Sequence, residues 1–158
     1  MIGVQLGLDV HVLDRITKGE KPDLVRELGA TYHSGPLADL DIDPDVIIEC
    51  TGVGDVIVSW IRQVGAGGVG CLTGVGAGGA PSGLPAADLA TEVVLRNNVI
   101  VGSVNANRRH FHRAAQALAE ADREWLAGLV SRRVPPENIK EALQRSDNDI
   151  KVVVEFAS

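Results

Sequence analysis

Aromatic side chains are scarce in this chain, at 3% of its residues. That leaves no stacking platform for nucleic-acid bases, and a net charge of −6 opposes a phosphate backbone. No nucleic-acid partner is expected. Long apolar runs are also missing: none approaches the ~18 residues of a membrane-crossing helix, and no basic, apolar and small-residue succession marks a secretion signal. We expect no membrane partner and a cytoplasmic location. Cysteine is limited to Cys50 and Cys71. Each lies in an apolar, strand-like run without a second ligand nearby, which predicts buried, reduced thiols rather than a disulfide or a metal site. Nucleophile-elbow, phosphate-loop and H-E-x-x-H motifs are absent, and no pair of carboxylates stands out as an acid–base couple. His110 and His112 would face different sides of a helix, so they are not expected to share a metal.

What is present is an alternation of short apolar strands with amphipathic helices. At 158 residues the chain suits one domain. Residues 1–8 read as the end of a helix, 9–14 as a strand, and 15–21 as a polar loop. Pro22 suits the first turn of a helix that stops at Gly29, and 30–33 are extended. The nearly continuous apolar run at 46–50 predicts a parallel strand covered on both faces. Further strands are expected at 69–73, 99–104 and 150–156, and helices at 55–64, 84–96, 109–120, 124–130 and 136–144. Arg108-Arg109 and Arg132-Arg133 are read as solvated helix ends or anion contacts. The order predicts an α/β fold built on a parallel sheet.

The dinucleotide-binding spacing G-x-G-x-x-G occurs twice, at Gly65-Gly67-Gly70 and at Gly74-Gly76-Gly79. A pyrophosphate loop follows a strand and opens directly into a helix. The first match instead precedes an apolar strand, and the second runs into Pro81 and Pro85. Neither is read as a pyrophosphate loop.

Open parallel sheets bind ligands beyond the carboxyl ends of their strands. Here three successive strands end in small or polar residues: Thr51-Gly52, Thr73-Gly74-Val75 and Ser103-Val104-Asn105. Glycine lets a ligand approach the backbone closely. Asp14 closes the first complete strand; in a dinucleotide-binding fold an acidic side chain at this point accepts hydrogen bonds from the adenosine ribose. Arg15 follows it and could hold a 2′-phosphate instead, with Lys18 and Lys21 adding positive charge. NAD and NADP both remain open.

The stretch Gly102-Ser103-Val104-Asn105-Ala106-Asn107-Arg108-Arg109-His110-Phe111 resembles the C-terminal nucleotide-binding domain of glucose 1-dehydrogenases, in the zinc-dependent medium-chain alcohol dehydrogenase superfamily. The resemblance extends to Asp14-Arg15, Leu28-Gly29-Ala30-Thr31-Tyr32, Glu49-Cys50-Thr51-Gly52, Leu72-Thr73-Gly74-Val75 and Ile150-Lys151-Val152. It implies a Rossmann-like sheet with helices on both faces, and oxidation of the C1 hydroxyl of glucose or a related aldose to the lactone. Hydride passes to NAD or NADP. By the same resemblance Asp14 and Arg15 flank the adenosine ribose. Thr73, Gly74 and Val75 line the nicotinamide side, and Ser103, Val104 and Asn105 touch the cofactor. Asn105 also reaches a sugar hydroxyl, for which its amide has donors and an acceptor. Thr51 and Gly52 join this cofactor set.

Family members carry a catalytic domain with zinc ligands, then a first strand and its Gly-rich loop. Against that pattern, residues 1–158 read as a single, incomplete and N-terminally truncated dinucleotide-binding domain without its zinc domain. The strand thought absent would lie between the strands at 9–14 and 46–50, leaving both with unpaired edges. The strand at 150–156 is expected to lack a partner. The chain alone is expected to be inactive, and copies are expected to associate as a homo-oligomer. The alternatives are a non-catalytic nucleotide-binding or interaction module, an inactive fragment, or a dehydrogenase of another polyol or alcohol.

Overall fold

The computed structural model describes residues 1–76, 85–144, 146 and 148–156. In chain order the elements are α1 (Ile2–Gln5), β1 (His11–Leu13), α2 (Glu20–Glu27), β2 (Thr31–His33), β3 (Val46–Glu49), α3 (Gly54–Ile61), β4 (Val69–Leu72), α4 (Ala86–Leu95), β5 (Val99–Gly102), α5 (Arg108–Ala119), α6 (Arg123–Gly128), β6 (Val130–Val134), α7 (Ile139–Ala142) and β7 (Lys151–Val154). Every strand pairing among the described residues is parallel: β1 with β2, β3-β4-β5 in that order, and β6 with β7. The parallel α/β class read from the sequence is the class observed. Among the described residues, no helix is long and apolar enough to cross a membrane.

Two compact units form: Met1–Gly35 with Asn107–Ser158, and Pro36–Ala106. In the first, α2 begins at Glu20, so Glu20 and Lys21 are helical rather than part of the preceding loop. Pro22 is buried in its first turn, where a missing N–H costs nothing. Gly29 ends the helix at φ +85°, a conformation open to glycine without a Cβ penalty. The indole Nε1 of Trp125 donates to the Leu24 carbonyl at 2.8 Å and fastens α6 to α2.

The end of this unit departs from expectation. The helix read over 124–130 stops at Gly128, and Val130 begins β6, a strand that the sequence pattern hides. The closing strand therefore has a partner: Val130 pairs with Lys151 and, after a one-residue register shift, Arg132–Val134 pair with Val152–Val154. Arg132 and Arg133 stand within β6, not at helix ends. The Arg132 guanidinium grips both carboxylate oxygens of Asp149 at 2.7 and 3.2 Å and donates to the carbonyls of Glu141 and Gln144. It thereby satisfies backbone acceptors at the end of α7. Arg133 pairs with Glu155.

In the second unit, Trp60 of α3 packs on β4 and is 1% exposed. Gly70 makes room for it, since a Cβ there would overlap the indole ring. This explains a glycine inside a strand. The opposite face is bare. Val46 is 58% and Ile48 63% exposed, and Val69, Val99 and Val101 join them on the same side through the strand register. The apolar run of β3 is therefore covered on one face only, because α3 packs on the other. The cysteines differ from expectation for the same reason: Cys50 is exposed and Cys71 half-buried, so neither is the buried thiol expected. Both are free. The turn Gly65–Gly68 connects α3 to β4, as expected of the first glycine match. Gly79 of the second match, Pro81, and Leu84 of the helix read over 84–96 lie outside the described residues.

Candidate functional site at the strand ends

Strand β3 ends in a carboxylate that organises the next turn of the chain. Glu49 is 4% exposed. Its Oε1 accepts from the Thr51 N–H at 2.6 Å and the Thr51 hydroxyl at 2.5 Å, and the Gly52 N–H lies 3.1 and 3.0 Å from its two oxygens. This wraps residues 49–52 into a tight turn, with Gly52 at φ +67°. The same residue's carbonyl accepts from Thr73 N at 2.8 Å, Gly74 N at 3.1 Å and the Thr73 hydroxyl at 2.8 Å. Glu49 thus ties the ends of β3 and β4 together through side chain and backbone. Sequence reasoning places Glu49 within a motif but gives it no role. An acidic residue terminating an apolar strand is the available signal, since a buried carboxylate requires donors.

The glycines serve close approach between these two loops. A Cβ on Gly52 would lie 2.5 Å from the Gly76 nitrogen, and one on Gly74 would fall on the Gly52 nitrogen. Here the backbone meets other backbone, which fixes the rim of the strand ends. The Thr73 hydroxyl also points at Cys50 Sγ, 3.3 Å away.

Strand β5 ends at Gly102, two residues earlier than expected, so Ser103, Val104 and Asn105 form a loop. Ser103 N donates to the Leu72 carbonyl at 2.9 Å, which keeps this loop beside the end of β4. Val75 is 83% and Val104 80% exposed, so two neighbouring strand ends present apolar side chains to solvent. Ser103 and Asn105 are also exposed. Thr51, Gly52, Thr73, Gly74, Val75, Ser103, Val104 and Asn105 therefore converge at the carboxyl end of one parallel sheet.

Asp14 and Arg15 belong to the other unit, directly after β1. Asp14 N donates to the His33 carbonyl at 3.2 Å, and its Oδ1 accepts from Ile16 N at 3.4 Å. Tyr32 of β2 donates its hydroxyl to the Ile16 carbonyl at 2.5 Å and pins the turn from the neighbouring strand. Burial, and then the Asp14 charge, hold the Tyr32 phenol above its ordinary range, with Arg26 opposing them. Lys21 reaches Asp14 Oδ2 at 3.9 Å, while Arg15 is exposed. His110 and His112 lie on α5, where His110 completes a reciprocal cap with Asn107. Among the described residues, no three of His, Cys, Asp and Glu are grouped to hold a metal ion.

Comparison with known proteins shows the family of the chain. Residues 1–156 match the family described as glucose dehydrogenase C-terminus. Over 140 residues, 86% of this chain, it is 39% identical to glucose 1-dehydrogenase 2 of Vulcanisaeta moutnovskia, covering 40% of that protein. It is 37% identical over 153 residues, 94% of this chain, to glucose 1-dehydrogenase 1 of Caldivirga maquilingensis, covering 43% of it. The fold superposes on the Haloferax mediterranei glucose dehydrogenase solved with NADP, Zn and gluconolactone, with a TM-score of 0.84 and 29% identity over 95% of this chain and 44% of that one. The chain spans about two fifths of the length of the curated relatives it matches. It belongs to the glucose dehydrogenase C-terminal family, with the Rossmann-type fold of dehydrogenases.

Proposed function

We propose that this chain is the cofactor-binding portion of an NAD(P)-dependent glucose, or related aldose, 1-dehydrogenase. The observation that carries the reading is the set of small and partly apolar residues, Val75, Val104, Ser103 and Asn105 exposed among them, at the ends of β3, β4 and β5 in a chain of this family. The Haloferax relative of the same fold was solved with NADP, Zn and gluconolactone. The reaction removes a hydride from C1 and a proton from its hydroxyl, leaving the lactone carbonyl. Bound NAD(P)⁺ supplies the hydride acceptor.

The chain's own residues bind and orient. Val75 and Val104 give the nicotinamide ring an apolar surface. The Thr73 and Gly74 carbonyls and the Ser103 hydroxyl face its amide, since the N–H groups of all three and the Thr73 hydroxyl are already engaged at the strand ends. Asn105 adds a donor and acceptor toward a sugar hydroxyl. Thr51 and Gly52, set by Glu49, fix the rim on which these groups stand. Asp14 and Arg15 take the adenosine ribose. A zinc ion has no fitting set of ligands among the described residues. We assign the chain to the cytoplasm, without nucleic-acid or membrane partners, and to a homo-oligomer.

Calorimetric titration with NAD⁺ and NADP⁺ tests the reading. Saturable binding at micromolar to low millimolar cofactor is expected, and absence of binding at higher concentrations refutes it. Glucose-dependent cofactor reduction by the purified chain would overturn its restriction to the cofactor side of the reaction.

A further inference from the structure

The turn after β1 carries an acidic group where a ribose is read, and a cation held against it. Asp14 is fixed by two backbone contacts, at its own N–H and at its Oδ1. The turn is braced from β2 by the Tyr32 hydroxyl. Lys21 differs in kind. Its ammonium sits 3.9 Å from Asp14 Oδ2, beyond direct hydrogen-bond length, and its side chain is 29% exposed. Such a pair is loose and its cation can be shared. Lys21 stands in the first turn of α2, whose N-cap Gly19 supplies no side-chain cap. With Lys18, Gly19 and Ile16 it lines a cavity of about 270 Å³ beside the same turn. The acidic side chain nearest Lys21 in chain order, Glu20, also lines that cavity, as does Asp149, whose charge Arg132 already engages.

We propose that Lys21 is the specificity-determining residue for the cofactor's adenosine ribose, admitting a 2′-phosphate that Asp14 alone would repel. This rests on the cofactor-binding reading above. An unpaired carboxylate at this position accepts both ribose hydroxyls and opposes a phosphate in place of one of them. Lys21 cancels that repulsion in the free protein. When a phosphate arrives, it turns from Asp14 to the phosphate oxygens, which attract it more strongly than a carboxylate at 3.9 Å. Arg15, exposed on the same turn, adds attraction but does not shield Asp14. The chain therefore takes NADP⁺ and NAD⁺ both, with the balance set by Lys21 acting against Asp14.

Calorimetric titration of the full chain with NAD⁺ and NADP⁺ decides the matter, on the wild type, Lys21→Met, Lys21→Arg and Asp14→Asn. Lys21→Met keeps the apolar stem, and equal melting curves show that the fold is retained. It is expected to weaken NADP⁺ about tenfold and leave NAD⁺ within about twofold, since roughly one charge contact is lost. Lys21→Arg should restore NADP⁺ to within about threefold. Asp14→Asn should do the reverse, favouring NADP⁺ and weakening NAD⁺. If Lys21→Met shifts both cofactors equally, or neither, the assignment of Lys21 is overturned while the cofactor-binding reading stands. If the wild type binds neither cofactor, both fall.

Discussion

Replacing Glu49 by glutamine changes one atom and tests how the strand ends are held. The wild-type carboxylate receives three donors: Thr51 N at 2.6 Å, the Thr51 hydroxyl at 2.5 Å and Gly52 N at 3.0 Å. A hydrogen bond to a charged acceptor contributes about 1.5–3 kcal/mol, and a neutral one about 0.5–1.5 kcal/mol. Losing the charge assistance on three bonds costs about 3 kcal/mol on that scale. Gly52 is buried, so solvent cannot take over its N–H. The glutamine NH₂ also cannot accept from it, and one donor must face another unless the side chain rotates and forsakes Thr51. Urea denaturation followed by far-ultraviolet circular dichroism measures the loss. We expect Glu49→Gln to be less stable by about 2–4 kcal/mol, and to bind cofactor more weakly because Gly52 and Gly74 share a backbone contact. A change below about 0.5 kcal/mol, the ordinary effect of a surface substitution, would refute the role given to Glu49.

Two other perturbations concern the packing and the ion pairs. Trp60→Ala removes the largest fully buried side chain among the described residues, 1% exposed, from its seat on Gly70. It should cost about 3–5 kcal/mol in the same denaturation assay, with Trp60→Phe recovering most of it. Asp149 is held below the ordinary carboxylate range, first by its hydrogen bond from Arg132 and then by the Ser146 N–H. A depressed folded-state value means stability present above the ordinary carboxylate range and lost as pH falls through the lowered one. Asp149→Asn should therefore be less stable than wild type at neutral pH, and the two should converge in strong acid. A difference that persists unchanged through the acid titration would contradict this linkage.

The second unit is largely legible in the sequence because its strands are apolar runs bounded by glycine and polar residues. The turn at Gly65–Gly68 and the strands at 46–49 and 69–72 need no long-range information. Strand β6 is hidden because Ser131, Arg132 and Arg133 break its apolar pattern. Those arginines are satisfied by Asp149 and Glu155, groups that come near only once β7 has paired. Burial is misjudged for a related reason. A continuous apolar run states that a strand is hydrophobic on both faces, not that both faces are covered, and Ile48 and Cys50 stand open. Of the candidate site, the small residues at strand ends can be read directly. Glu49 cannot, because its function lies in which N–H groups it meets after the chain turns.

The central claim is that the ends of β4 and β5 receive a nicotinamide dinucleotide. The most direct test is a titration of the isotopically labelled chain with NADP⁺, following backbone amide resonances. The account predicts saturable shifts at Thr73, Gly74, Val75, Ser103, Val104 and Asn105, with little change along β6 and β7. A titration that moves none of those amides, or moves only others, would contradict it.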